Sequence, residues 1–212
     1  MKLYYAPSAC SLAPHIALRE AARNFDLERV DLTAHRTAGG RDFLEINPKG
    51  YVPVLELDGP GSELLTEAQV ILQYVADLAP DRALIPVTGT FARYRAQEWL
   101  AFIATELHKQ FGPLFDPKTP AATTTFQRGK IADRLLYLGD VLGSQGYVMG
   151  EQFTVCDAYL FTMLQWCTKL GIDLSLWPNV DDYETRLAER PAIVASLAAE
   201  GLHGRHSLKK TA

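Results

Sequence analysis

The stretch Ile46-Asn47-Pro48-Lys49-Gly50-Tyr51-Val52-Pro53-Val54-Leu55-Glu56-Leu57-Asp58, closed after a Gly/Pro turn by Leu64-Leu65-Thr66-Glu67-Ala68, decides how the chain is read. Its middle has the composition of a β-strand. Pro53 lacks the N–H that a central ladder needs, so it must open the strand, lie on an edge or carry a cis bond. After Asp58-Gly59-Pro60-Gly61, Glu63-Leu64-Leu65 reads as a second strand, and Thr66-Glu67 as the start of a helix through Val70-Ile71-Leu72-Gln73-Tyr74-Val75. The hairpin thus sets a helix N-terminus beside Pro53. Free backbone N–H groups and the positive end of the helix dipole suit a carboxylate, and Glu67 suits an ammonium group, so the corner fits a small zwitterion. The same residues also suit a capped surface helix that binds nothing.

Upstream, Lys2 to Tyr5 reads as a short strand, Ala6-Pro7-Ser8-Ala9 as a turn, and Leu12 to Ala22 as a helix with Pro14 in its first turn. Leu27 to Leu32 is the next strand and Arg41 to Ile46 a short helix or turn. The order β-α-β-α-β-β-α within residues 1–80 is a compact α/β unit. Pro86-Val87-Thr88-Gly89-Thr90 marks a connection, placing a linker at 81–90. Beyond it strand patterns vanish. Apolar residues recur at helical spacing in Phe91–Gln110, Thr125–Leu142, Thr154–Leu170, Asp181–Arg190 and Ile193–Ala199, so residues 91–212 are expected to be all-α. The tail Gly204–Lys210 lacks periodicity and is expected to fray.

A chain of 212 residues with 48% hydrophobic content can build a substantial core. A net charge of -4 offers no basic face for nucleic acid, and no apolar run is long enough to span a bilayer. The start Met1–Pro7 alternates and stops too early for a signal peptide, so the chain is expected to be cytoplasmic. Cys10, Cys156 and Cys167 have neither metal-ligand spacing nor the even count of a disulfide framework, and no metal site is expected.

Cys10-Ser11 falls at a helix start, where the dipole favours thiolate. Ala13 stands where a dithiol redox protein has its second cysteine, so Cys10 can form a mixed disulfide but closes no local ring. Alternatively, Ser11 donates to an external thiolate and Cys10 is a neighbour of the chemistry. Thr154 and Asp157 have the spacing of a capping box, which makes Asp157 structural, and Cys156 and Cys167 read as core thiols. On the first helix of the all-α part, Trp99, Ile103 and Leu107 share one side, while Ala101, Thr105 and His108 form a stripe facing away from the bundle. Position alone gives His108, or His15, no catalytic role.

Together, Met1-Lys2-Leu3-Tyr4-Tyr5 with Cys10-Ser11-Leu12, Asn47-Pro48-Lys49-Gly50 with Val52-Pro53, Leu65-Thr66-Glu67, Glu98-Trp99-Leu100, Glu106-Leu107-His108-Lys109 and Phe153–Phe161 resemble the bacterial beta-class glutathione S-transferases over nearly the whole chain. The resemblance implies a thioredoxin-like domain followed by an all-helical one (the glutathione transferase fold), a homodimer, a cis-Pro53, and glutathione as cosubstrate lying along Val52 and the Glu67-Ala68 helix start. It implies a cysteine at Cys10 touching the glutathione sulfur, His108 nearby, and Thr105 and Glu106 at the glutathione site with contributions across the dimer interface. The departures fall inside that site. Ala68 replaces the Gly or Ser common in relatives, His35 a lysine, and Ala101 an asparagine.

The expected activity is attack of the glutathione thiolate on small apolar electrophiles. Cys10, Ser11 and His108 are expected to stabilise the thiolate, and Phe111, Leu114, Phe115 and Trp166 to contact the second substrate. A glutathione-dependent thiol–disulfide oxidoreductase or reductive dehalogenase working through Cys10 is the alternative within the fold. A non-catalytic binding or regulatory protein is the alternative outside enzymology, and intact Cys10, Val52-Pro53 and Glu67 argue against it.

Overall fold

The computed structural model of the protein describes residues 1–59 and 61–202, so the expected frayed tail lies outside the described residues. The first part runs β1 (Lys2–Tyr5), α1 (Leu12–Glu20), β2 (Asp26–Asp31), β3 (Arg36–Thr37), α2 (Phe43–Ile46), β4 (Val54–Glu56), β5 (Leu64–Thr66) and α3 (Ala68–Asp77). The sheet order is β3-β2-β1-β4-β5, with β1 parallel to β2 and the other pairs antiparallel. Sequence pattern did not reveal β3, because two residues carry no period.

Strand alternation distributes the core over both faces of the sheet. Leu3, Tyr5 and Leu55 face α1 and α3 in the main core, while Tyr4 and Val54 meet Phe43, Ile46 and Val52 in a smaller core beneath α2. Asp42 caps α2 by accepting from the Leu44 N–H. Asn47 then organises the turn that follows. Its side chain donates to the Tyr51 carbonyl at 2.7 Å and accepts from the Lys49 N–H at 3.2 Å, and Gly50 closes the turn at φ +74°. The positive φ calls for glycine at Gly50, and a Cβ there would lie 3.1 Å from the His35 and 3.3 Å from the Leu44 side chains, which would have to give way. The Val52-Pro53 bond is cis and sits immediately before β4.

The second part contains α4 (Phe91–Phe102), a π-helical segment (Ile103–His108), α5 (Lys109–Phe115), α6 (Ala121–Leu142), α7 (Val155–Lys169), α8 (Pro178–Ala188) and α9 (Pro191–Ala199). The expected helix Phe91–Gln110 therefore continues to Phe115 through a wider turn, which changes the faces read at an even 3.6-residue period. Ala101 and Thr105 are exposed as expected, but His108 is half-buried and turned inward. Trp99, expected on the core side, is only half-buried and packs on Phe102 and Tyr137.

The two parts share one continuous core in which α1 packs on α3, α7 and α9. Two bidentate ion pairs join them. Arg93 at the start of α4 holds Asp77 at 2.7 and 2.8 Å, and Arg190 after α8 holds Glu20 at 2.9 and 3.0 Å. The capping box of α7 forms as read from Thr154 and Asp157. Cys156 and Cys167 are buried thiols.

Candidate active site

Two clefts open beside the Val52-Pro53 bond and meet at Cys10, Tyr51 and Val52. The first, about 290 Å³, runs from Cys10 along Val52 and Pro53 to Glu67, Ala68 and Gln69, with Ala104, Thr105, His108, Lys109 and Tyr159 opposite. The second, about 310 Å³, is bounded by the Ala6–Cys10 loop, Leu32, Phe115, Trp166 and Lys169. One cleft ends on a carboxylate and a helix start, the other on aromatic rings.

At that helix start Glu67 has φ +70°, a backbone that a non-glycine residue holds only when its surroundings impose it. The Val70 and Ile71 N–H groups donate to the Glu67 carbonyl, which leaves those of Ala68 and Gln69, two residues lining the cleft end, without an acceptor within the helix. The Glu67 carboxylate is already partnered, by Lys49 Nζ at 2.6 Å and the Tyr51 hydroxyl at 3.0 Å. The Lys49 ammonium and, after it, the Tyr51 hydroxyl hold the Glu67 carboxyl below its ordinary range. Glu67 is therefore an anion already folded around an ammonium group supplied by its own chain.

Cys10 sits at the junction with its Sγ 3.3 Å from the Val52 carbonyl, to which the thiol donates. Burial pushes this thiol up to about 12, beyond what the nearby backbone N–H groups recover. Burial of Cys10 thus opposes the thiolate-favouring dipole at the helix start. With α1 short and its first turn packed in the core, desolvation outweighs the dipole. Ser11 is also not free to serve an external thiolate. Its fully buried hydroxyl accepts from the Ala6 N–H at 3.2 Å and donates to the Ala6 carbonyl at 3.3 Å, which pins the loop, and it lines neither cleft.

His108 does reach the first cleft, because the π-helical turn rotates it inward. Its Nδ1 lies 2.6 Å from the Tyr159 hydroxyl, and its ring meets Trp166 edge-on at 4.9 Å. Burial first, then Lys109, lowers His108 to about 4, so the imidazole is neutral near pH 7. Burial pushes the Tyr159 phenol far up, so it stays protonated. A neutral imidazole anchored at Nδ1 offers one ring nitrogen to whatever fills the cleft.

Of the remaining expected residues, Val52, Pro53, Ala68 and Thr105 line the first cleft, and Phe115 and Trp166 the second. Phe111 lies beneath, edge-on to Trp166 at 5.6 Å, and Leu114 lines neither. Two are not brought in. His35, at φ +49°, packs beside Gly50, and Glu106 turns to Arg134 at 2.7 and 3.0 Å. Sequence reasoning missed Tyr51, Lys109 and Tyr159. Tyr51 and Lys109 adjoin residues already singled out, and Tyr159 lies within the Phe153–Phe161 motif, where nothing marked it apart from the apolar pattern of α7. Among the described residues no group of His, Cys, Asp and Glu could hold a metal ion, and no helix is long and apolar enough to cross a membrane.

Residues 1–77 match the family model described as Glutathione S-transferase, N-terminal domain, and residues 102–191 that of the C-terminal domain. The chain is 45% identical over 202 residues to glutathione S-transferase GstA of Escherichia coli O157:H7, covering 95% of this chain and 100% of that one. A solved ternary complex of BphK, a bacterial GST, superimposes with a TM-score of 0.93 at 48% identity, covering 95% of this chain and 100% of that one. A sphingomonad glutathione S-transferase complexed with glutathione gives 0.92 at 43% identity, covering 96% and 100%.

Proposed function

The chain belongs to the glutathione S-transferase family, and from that premise we propose how its two clefts divide the transfer of the glutathione thiolate to small apolar electrophiles. The observation that carries the reading is that a cleft ending on Glu67 and the α3 start meets an aromatic cleft at Cys10. Glutathione lies along Val52 and Pro53 with its γ-glutamyl carboxylate on the first N–H groups of α3, and its ammonium replaces Lys49 on Glu67. Its sulfur then reaches the junction, where the Cys10 thiol and the free ring nitrogen of His108 stabilise the thiolate. The electrophile stands against Phe115 and Trp166. Attack forms the carbon–sulfur bond and expels the leaving group, or adds across an activated double bond. His35 and Glu106, turned elsewhere, are left out of the chain's own glutathione contacts.

Calorimetry tests the first cleft. Glutathione should raise the melting temperature, and Glu67→Ala should weaken binding by about 1–3 kcal/mol, the loss of a hydrogen bond to a charged group. Unchanged affinity in that variant would remove Glu67 from the site.

We place residues 1–80 in the glutathione-binding unit, 81–90 in a linker and 91–212 in the helical domain, and we read the protein as a cytoplasmic homodimer. Three cysteines outside any disulfide agree with a reducing compartment. The dimer reading rests on the outer face of α4 and α6. There Trp99, Phe102 and Tyr137 stack around a cleft of about 520 Å³ edged by Arg95, Glu98 and Arg134, with Tyr94 and Leu136 exposed nearby. Such an apolar face with a charged rim suits a self-complementary contact. Light scattering should report twice the 23.5 kDa chain mass, and Tyr137→Glu should shift it toward one chain; a wild-type monomer at micromolar concentration would overturn the reading.

A further inference from the structure

Ser8 has φ +62° in the loop that walls the aromatic cleft, a left-handed backbone that a serine keeps only when neighbours fix it. Each of its polar groups is taken by the helical part of the chain. Its N–H donates to Oε2 of Glu200 at 3.1 Å, its carbonyl accepts from Nε1 of Trp166 at 2.9 Å, and its hydroxyl accepts from Nζ of Lys169 at 3.2 Å. Trp166 and Lys169 line the cleft themselves, but Glu200, at the end of α9, does not.

The Glu200 side chain is fully buried, and a buried carboxylate persists only if its oxygens are satisfied. Its Oε1 lies 2.9 Å from Nδ1 of His15, also fully buried, whose Nε2 lies 3.1 Å from Nε of Arg19. A guanidinium N–H can only donate, so Nε2 of His15 accepts and Nδ1 carries a proton toward Glu200. The file Arg19, His15, Glu200, Ser8 therefore converges on the carboxylate, which accepts from His15 on one side and from the Ser8 N–H on the other. It runs from the protein surface through the α1–α9 packing to the cleft wall. Neither His15 nor Arg19 lines either cleft.

We infer that Glu200, oriented by His15 and Arg19, is a positioning residue for the electrophile cleft, holding Ser8 in the conformation that sets the Ala6–Cys10 wall against Trp166 and Lys169. The inference rests on the assignment of that cleft to the second substrate. Glu200→Gln is the discriminating variant, because a carboxamide has a single acceptor oxygen for two donors, the Ser8 N–H and His15 Nδ1–H. With a chlorodinitrobenzene as electrophile, KM for it should rise about tenfold and amide exchange at Ser8 should quicken about as much, the effect of losing one hydrogen bond to a charged acceptor. The Kd of glutathione, measured separately, should stay within about twofold, since Glu200 touches nothing in that cleft. Arg19→Gln, at the outer end of the file, should give the same pattern more weakly, and it serves if Glu200→Gln does not fold. Unchanged Ser8 exchange would overturn the positioning role. Quickened exchange with unchanged KM would overturn the inference through the cleft assignment, and loss of glutathione affinity in parallel would reduce Glu200 to a general structural residue.

Discussion

Replacing Asp157 with alanine is expected to destabilise the protein by about 3–5 kcal/mol, the largest effect of any single truncation we foresee, because the buried carboxylate satisfies several donors at once. Oδ1 accepts from the Val148 N–H at 2.8 Å and the Tyr183 hydroxyl at 2.7 Å, and Oδ2 from the Thr154 N–H at 2.7 Å and its hydroxyl at 2.9 Å. The variant leaves these donors in a fully buried site and removes the cap of α7, the helix carrying Tyr159, Trp166 and Lys169. Thermal unfolding should show a fall on the order of 10 °C. Tyr183→Phe, which removes one donor and leaves the acceptor with its others, should cost only about 1 kcal/mol. A loss under about 1 kcal/mol in Asp157→Ala would mean that water or a rearranged helix start takes over the donors.

The second large effect separates the two chemistries open to Cys10. Cys10→Ala should retain conjugating activity to within about tenfold while losing any glutathione-dependent disulfide reduction by at least about a thousandfold, some 4 kcal/mol of barrier. The thiol is held protonated by burial and donates to the Val52 carbonyl, and no cysteine stands at Ala13 to replace it. In conjugation the nucleophile belongs to glutathione, and in the proposed site Cys10 would supply one stabilising contact among several. In disulfide exchange Cys10 would itself take up glutathione, so nothing nearby could substitute. Assaying aryl halides and mixed disulfides with the same variant decides the matter. A thousandfold loss of both would make Cys10 indispensable to the conjugation step.

What the sequence discloses, and what it hides, follows the range of the interactions concerned. The hairpin from Val54 to Thr66, the start of α3 and the Thr154–Asp157 cap are written in neighbouring residues, and each forms where the local chemistry places it. The family resemblance, resting on motifs spread through both parts, points to the cleft residues Val52, Pro53, Glu67, Ala68, Thr105 and His108. Failures begin where a side chain is captured by a partner that its local pattern does not indicate or where the helix changes its pitch. Ser11 is captured by Ala6, His35 lies against the Gly50 turn, and Glu106 is drawn to Arg134, 28 residues on. His108 faces the cleft only because the segment Ile103–His108 is π-helical, which no periodicity assuming an even turn anticipates. At Cys10 too the local pattern is incomplete: burial, a property of the assembled core, opposes the local dipole there.

The bond from Ser8 to Glu200 spans 192 residues, and that span has a meaning in time. A ribosome adding about 5–20 residues per second needs roughly ten to forty seconds to travel it. Once residues 1–77 are made the α/β unit can form its small core beneath α2, yet until α7 follows the loop bearing Cys10 has no partners at Ser8. Trp166 and Lys169 follow Ser8 by 158 and 161 residues, and the Glu200 carboxylate comes after both. The wall of the aromatic cleft is thus completed only once α9 has been made, so a chain cut short before Glu200 would carry Cys10 without the contact that fixes Ser8.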